Sequence, residues 1–303
     1  MKGKIGYVYL CITFFCWGSI YIVAKYALAE MGPITVSLCR YLVSVICLAI
    51  ILKIKGSRKP VKKEHWKYIF VVGAIGYFVS IACQLAGTNL LNSSLASLIN
   101  AMNPITISIL AAILLKEKIR KKNIVSILIS LVGVYIILGI GDGGISTLGV
   151  ILSVLSVVFW SGASIAIRKI SSEYDPVQTA LYGMCIALVL NIPAAAAENV
   201  FVVQSTVTKE AAFACIYLGI FGTAVAHTCW NKGLQLLDAS TCSMFYPMQP
   251  LASAVLGVLI LHEVLTWNFI AGGLVICVGI LITVMPERRK KNADSGRFKK
   301  SIK

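Results

Sequence analysis

Long apolar runs, separated by short clusters of basic residues, occupy most of this 303-residue chain. A helix rises about 1.5 Å per residue and the hydrocarbon layer of a bilayer is about 30 Å thick, so a spanning helix needs about 20 apolar residues. Soluble domains are about 25% charged, whereas this chain is 13% charged and 58% hydrophobic. We therefore predict an all-α polytopic membrane protein embedded in a lipid bilayer.

The apolar runs predict ten transmembrane helices. They lie at 6–28, 34–54, 67–89, 94–115, 123–141, 147–168, 176–197, 211–234, 239–261 and 266–285. Most connections are short, and Gly32-Pro33 and Asp175-Pro176 are typical of a turn that precedes a helix. We expect no separate soluble domain.

The basic residues predict the orientation, because cytoplasmic loops are enriched in Lys and Arg. With the N-terminus inside, Lys209 is the only one of the 28 Lys and Arg residues in an outer loop, and Lys25, Arg40 and Lys232 lie within spans. All the others fall in inner segments, including a basic cytoplasmic tail at 287–303. We expect a multi-pass protein of the plasma or inner membrane with both termini cytoplasmic, and no nucleic-acid partner despite the net charge of +16.

The two halves of the chain, 1–141 and 147–286, resemble each other, mostly at an offset of 146 residues. The matching pairs include Gly73 and Gly219, Gly76 and Gly222, Cys83 and Cys229, Pro104 and Pro250, and Glu117 and Glu263. Each half holds five predicted spans, so the second copy would enter the membrane in the opposite direction. Inverted repeats of this kind are typical of secondary transporters.

Pro104 and Pro250 lie about ten residues into their predicted spans, near the middle of the membrane. A proline interrupts the helical hydrogen bonds, and matching interruptions at mid-depth are typical of a substrate site. The alternative is that both prolines only bend their helices.

Polar and aromatic side chains within the apolar runs are the candidate lining of a central cavity, because a polar group in lipid has to face another helix or water. The candidates are Trp17, Arg40, Gln84, Asn100, Asn103, Trp160, His227, Trp230, Asn231, Tyr246 and Gln249. The alternatives are helix–helix packing for the polar residues and interfacial anchoring for the tryptophans.

The cations within spans have no acidic partner there, since every Asp and Glu lies in a loop or near a helix end. Arg40 and Lys25 therefore either extend to the membrane surface or attract a carboxylate or phosphate of a solute. His227 would allow coupling to protons, and exchange for a counter-solute is the other option. We expect no metal site and no cofactor, since no CxxC, HExxH or Walker A pattern occurs.

The order of several motifs resembles the EamA family of the drug/metabolite transporter superfamily. These motifs are Trp17-Gly18-Ser19, Arg40-Tyr41, Asn103-Pro104, Leu114-Leu115-Lys116-Glu117, Trp230-Asn231-Lys232-Gly233-Leu234, Leu261-His262-Glu263 and Gly272-Gly273. The resemblance implies two five-helix EamA repeats around a central cavity. It also implies efflux or exchange of amino acids, other small metabolites or drugs without ATP hydrolysis.

Two other classes of function remain as alternatives. A membrane-embedded enzyme is disfavoured because the chain has no clustered acid pair and no metal or nucleotide motif. A channel or a sensor scaffold is the other alternative, although a sensor would normally carry a soluble output domain. The sequence therefore favours a non-enzymatic transporter for a small-molecule substrate.

Overall fold

A computed structural model describes residues 2–114, 145–237, 248–264 and 266–284, together with residues 125, 128, 129, 132, 133, 136, 242, 245 and 246. All regular structure in these residues is helical, as predicted. In chain order the helices are α1 (Lys2–Leu28), α2 (Pro33–Lys55), α3 (Lys63–Leu90), α4 (Ser93–Asn100), α5 (Asn103–Leu114), α6 (Thr147–Ile170), α7 (Pro176–Phe201), α8 (Lys209–Leu236), α9 (Met248–Leu261) and α10 (Trp267–Val284).

Within these described ranges, six helices are long and apolar enough to cross a membrane: α1, α2, α3, α6, α7 and α8. Each contains the corresponding predicted span and extends it by a few residues. α9 and α10 are shorter apolar helices. The chain is therefore a multi-pass helical membrane protein.

The predicted span 94–115 is two helices, α4 and α5, joined by a turn at Ala101 and Met102. The Asn103 Nδ2 atom donates to the carbonyl oxygen of Asn100 at 2.6 Å, which satisfies a carbonyl that the interrupted helix leaves free. Most of the predicted span 123–141 lies outside the described residues, as do most residues of 239–247 and the tail 285–303.

Helices from the two halves of the chain pack in antiparallel pairs. At one end of α2 the backbone N–H groups of Ile34 and Thr35 donate to the Glu198 carboxylate of α7, at 2.9 and 2.8 Å. At the other end the Lys55 Nζ atom lies 2.6 Å from an oxygen of Asp175, the N-cap of α7. These contacts place the start of α2 beside the end of α7.

The pairs α1–α8 and α3–α6 are antiparallel in the same way. In α1, Gly6 lies against Leu237, Leu10 against Gly233 and Ile20 against Gly222. In α3, Gly76 lies against Ala163, Ser80 donates to the carbonyl of Ser156, and Gly87 lies against Ser153. Small residues at these contacts allow the helix backbones to approach closely.

α3 and α8 each contain a π-helical segment, at Val71–Ser80 and Leu218–Val225. Shifted by the repeat offset of 146, the first segment coincides with the second to within one residue at each end. π-helical turns are rare and occur often at functional sites, since the extra residue per turn changes where the following side chains point. Gln84 lies four residues after the first segment, in α3, and His227 lies two residues after the second, in α8.

Candidate functional site

A buried cavity lies where α1, α2, α3, α4, α6, α8 and α9 meet. It is lined by Trp17, Ile20, Arg40, Ser80, Ile81, Gln84, Asn100, Ser156, Trp160, His227 and Gln249. Seven of these are predicted lining residues: Trp17, Arg40, Gln84, Asn100, Trp160, His227 and Gln249. The cavity measures ≈ 20 Å³, which is room for a water molecule. A metabolite therefore fits only if the surrounding helices separate.

Arg40 lies on α2 with its side chain fully buried. Its Nε atom donates to Thr223 Oγ1 at 2.8 Å, and Thr223 in turn donates to the carbonyl of Leu218. The guanidinium carbon lies 5.8 Å from the centre of the Tyr41 ring. The Nη1 and Nη2 atoms have no hydrogen-bond partner among the described residues. Arg40 thus faces the cavity rather than the membrane surface.

His227 lies in a box of aromatic rings. The ring centres of Trp17, Trp160 and Tyr77 lie 5.4, 5.3 and 5.0 Å from that of His227, each in an edge-on arrangement. The Nδ1 atom of His227 lies 3.0 Å from the carbonyl oxygen of Thr223, one turn earlier in α8. The box holds the imidazole at the cavity wall.

Tyr21 links the two halves of the cavity wall. Its hydroxyl accepts hydrogen bonds from the Nε2 atoms of Gln84 on α3, at 2.7 Å, and of Gln249 on α9, at 3.0 Å. The Oε1 atoms of both glutamines are buried and lack a partner in the described part of the chain. Sequence reasoning did not select Tyr21, although it lies one helical turn from Trp17 and so shares its face of α1.

Asn100 reaches the cavity from the end of α4, whereas Asn103 lies behind it. The Asn103 Oδ1 atom accepts a hydrogen bond from Ser161 Oγ on α6 at 3.2 Å. Asn103 therefore holds the turn between α4 and α5 against α6. Both amides were predicted to line the cavity, and the structure places only Asn100 there.

Trp230, Tyr246 and Asn231 lie outside the cavity lining. Tyr246 accepts a hydrogen bond from Trp160 Nε1 at 3.3 Å, and Trp230 packs on both Trp17 and Tyr246. Asn231 Nδ2 donates to the carbonyl of Pro176 at 3.4 Å. Trp230 and Tyr246 thus support the cavity wall from behind, while Asn231 contacts the start of α7.

Pro104 and Pro250 lie in the first turns of α5 and α9. A proline is tolerated there because the first backbone N–H groups of a helix have no intrahelical acceptor. A turn precedes each helix, at residues 101–102 and 245–246. Each proline follows a cavity residue: Asn100 lies four residues before Pro104, and Gln249 lies directly before Pro250.

Lys25 does not reach the cavity. Its Nζ atom donates to the backbone carbonyls of Leu91 and Asn89 at the end of α3. Beside it the Glu263 carboxylate accepts hydrogen bonds from the backbone N–H and hydroxyl of Ser93 at the start of α4. Both charges thus compensate helix termini. Glu117, the repeat partner of Glu263, lies outside the described residues.

Polar contacts also occur at the opposite end of the bundle. The loop before α3 contacts the linker between α6 and α7 through an ion pair of Lys62 with Glu173, at 3.1 Å. It contacts the start of α7 through a hydrogen bond from Gln178 to the carbonyl of Lys59. The hydrogen bond from Lys62 lowers the pKa of the Glu173 carboxyl. Gln235 Nε2 of α8 donates to the carbonyls of Ser171 and Tyr174. Polar contacts therefore join helices and loops at both ends of the bundle.

Relatives of this chain carry transporter names. An uncharacterized transporter of Archaeoglobus fulgidus is 26% identical over 282 residues, which cover 92% of this chain and 98% of the relative. The uncharacterized transporter YyaM of Bacillus subtilis is 24% identical, with 87% and 88% covered. Protein PecM of Dickeya dadantii is 23% identical, with 91% and 92% covered.

A solved crystal structure of a protein shares the fold, with a TM-score of 0.65 at 18% sequence identity, over 93% of this chain and 95% of the other. The model of the EamA-like transporter family matches the chain twice, over residues 4–139 and 147–285. These two matches cover nearly the whole chain, one in each half. The chain belongs to the EamA-like transporter family.

Proposed function

We propose that this chain is a secondary transporter that exports or exchanges small metabolites, such as amino acids or drug-like solutes, by alternating access. The observation that carries the proposal is the buried polar cavity between helices of both halves. A charged and amide-rich lining in the centre of a membrane protein is costly, so it is retained where a polar solute passes. The transporter names of its relatives support the same class.

The proposed architecture is ten spans in two inverted five-helix repeats. α2 and α7 are repeat counterparts, since each begins with a proline and is the second helix of its half. They run antiparallel, as inversion of the second half requires. The matched π-helical segments and the two family matches, one in each half, support the same division.

The polar contacts at both ends of the bundle support alternating access as the mechanism. The α1–α8 and α3–α6 pairs pack through small residues along their length, so they suit movement as rigid units. Opening one end requires loss of the Gln235 contacts with the α6–α7 linker. Opening the other requires loss of the Glu198 contacts with the start of α2. When one end opens to release the solute, the contacts at the other end would remain in place.

We place the protein in the plasma or inner membrane with both termini cytoplasmic, because the basic residues concentrate on the side of the tail. On this orientation, the Gln235 end is the cytoplasmic end. Coupling to a proton or to a counter-solute is part of the proposal, with His227 as the candidate titrating group of the cavity.

Counterflow in liposomes tests this function. Purified protein would be reconstituted into vesicles loaded with a solute that stabilises it thermally, and uptake of the labelled solute would be measured with and without a pH gradient. We expect saturable uptake that the internal solute accelerates, and none in protein-free vesicles. Flux that rises linearly with concentration would instead indicate a channel, and conversion of the solute would indicate an enzyme.

A further inference from the structure

We infer that the solute is a small monocarboxylate that also carries a hydrogen-bond donor, such as an amino or hydroxy acid. Its carboxylate would bind Nη1 and Nη2 of Arg40, and its donor would bind the amide oxygens of Gln84 and Gln249. This inference rests on the proposed function and narrows it to one chemical class of solute.

Arg40 provides the first half of the site. A fully buried guanidinium normally has an acidic partner, because an isolated buried charge is costly. The two ion pairs among the described residues, Lys55–Asp175 and Lys62–Glu173, both lie near helix ends and do not involve Arg40. Its Nε atom is occupied by Thr223, while Nη1 and Nη2 are buried and unpaired in the described chain. Two parallel N–H donors with an uncompensated charge match an oxyanion.

The charge of the cavity favours a carboxylate over a phosphate. Arg40 is the single permanent cation among the lining residues, His227 is the titrating group beside it, and the lining contains no carboxylate. A carboxylate balances one guanidinium and accepts both N–H donors in the bidentate arrangement. While His227 is neutral, a phosphate dianion would bring a second negative charge into the same low-dielectric space without a partner.

The two glutamines provide the second half of the site. Both Gln84 and Gln249 direct an amide at the Tyr21 hydroxyl. That hydroxyl has a single proton, so it satisfies at most one of the two Oε1 atoms. At least one buried amide oxygen thus lacks a donor within the described structure. Unpaired acceptors beside unpaired donors match a solute with both a carboxylate and an O–H or N–H group.

The two kinds of unpaired group lie in one place. Arg40, Gln84 and Gln249 all line the central cavity. A second cavity of ≈ 10 Å³ adjoins it and shares Ile20, Arg40 and Gln84 with it. A polar space needs at least about 10–15 Å³ to hold one water molecule, so the carboxylate and the donor fit only when the helices separate. The aromatic box around His227 would then contact the apolar part of the solute.

A ligand series on the unmodified protein tests the inference. Thermal stabilisation of the purified full chain would be measured with the amino acids and with small hydroxy acids such as lactate and mandelate. Three analogues of the best ligand would then be measured: its carboxamide, the acid without the amino or hydroxyl group, and the phosphonate in which a phosphorus oxyanion replaces the carboxylate. We expect binding by at least one acid, at least about thirtyfold weaker binding of its carboxamide, and weaker binding of the other two analogues.

Substitutions of Arg40 then test whether its guanidinium binds the carboxylate. We expect Arg40→Gln to bind the acid and its carboxamide equally, and Arg40→Lys to retain part of the preference for the acid. Arg168→Gln is the matched control, because Arg168 is exposed at the end of α6. If Arg40→Gln fails to fold, the ligand series on the unmodified protein still decides the question.

Three results would overturn the inference. They are no stabilisation by any acid of the panel, equal binding of acid and carboxamide by the unmodified protein, and tighter binding of the phosphonate than of the acid. A uniform loss of affinity for all ligands in Arg40→Gln would likewise assign Arg40 a structural role. Saturable counterflow of a solute without a carboxylate would refute this inference and leave the proposed transport function intact.

Discussion

Arg40 carries the largest electrostatic cost among the side chains of the cavity. Insertion of an arginine at the centre of a membrane helix costs about 2.5–3.5 kcal/mol on translocon scales. Thr223 and the Tyr41 ring compensate part of this cost by a hydrogen bond and a cation–π contact. The Nη1 and Nη2 atoms of Arg40 have no hydrogen-bond partner among the described residues, so the cost of burying them is not compensated.

Gln249 contributes to the site through its amide alone, so its removal should affect transport more than folding. We expect Gln249→Leu to lower the initial rate of counterflow about tenfold, because a net hydrogen bond contributes about 0.5–1.5 kcal/mol and the substitution removes one to the solute and one to Tyr21. Counterflow rates, normalised to the amount of reconstituted protein, measure this. The matched control is Gln204→Leu, at an exposed loop position; equal rates for both variants would remove Gln249 from the lining.

Individual residues show which cavity-lining side chains can be predicted from the sequence. The prediction that intramembrane polar residues face a cavity places Arg40, Gln84 and Gln249 where the structure has them. It does not separate Asn100 from Asn103, which are almost one turn apart. The turn at 101–102 rotates α5 relative to α4, and this rotation decides which amide faces the cavity.

At the level of helices, close packing depends on a few glycines. A side chain at Gly76 would meet the Cβ atom of Ala163 on α6, and one at Gly222 would meet Ile20 on α1. Both glycines lie within π-helical segments, and they are repeat counterparts. The two long composite helices α3 and α8 thus pack through equivalent positions.

Gly76→Ala should destabilise the α3–α6 pair, since its methyl group overlaps Ala163. Overpacking of this kind costs about 1–3 kcal/mol, measured as a lower midpoint of thermal unfolding in detergent. Gly162→Ala is the matched control, because nothing lies within 4 Å of its added Cβ atom. We expect that control to be neutral or stabilising by up to about 1 kcal/mol. Equal midpoints for the two variants would contradict the packing at Gly76.

Hydropathy predicts where apolar helices lie but not how each is wound. It places the six long helices to within a few residues, and it misses the division of 94–115 into α4 and α5. The average polarity of a window does not depend on whether hydrogen bonds run to the fourth or the fifth residue. The π-helical segments therefore have no signal in composition.

At the scale of the whole molecule, the loops at 56–62 and 202–208 lie at opposite ends of the α2–α7 pair. The loop at 56–62 lies at the Asp175 end of the α2–α7 pair, and the loop at 202–208 lies at the Glu198 end, where Ser205 accepts from the N–H of Gly32. α2 has 23 residues, about 35 Å of helix. The two loops are thus a membrane thickness apart.

Cysteine labelling tests this arrangement in cells. We expect a membrane-impermeant maleimide to label Gln204→Cys from outside and Lys59→Cys only after the membrane is opened, because both positions are exposed at opposite ends. The unmodified chain, with its ten cysteines, supplies the background. Labelling of both variants from the same side would contradict the proposed topology.

The sequence alone determined three things: that the chain lies in a lipid bilayer, where the long helices approximately lie, and which family it belongs to. Hydropathy, basic clusters and the order of motifs determine these, because all three are read along the linear sequence. The tertiary structure decided which side chains meet. In the folded chain the Tyr21 hydroxyl bonds both Gln84 and Gln249, and Thr223 bonds Arg40. Lys25 bonds a carbonyl at a helix end rather than lining the cavity. These contacts depend on the rotation of each helix about its axis, which packing against neighbouring helices sets.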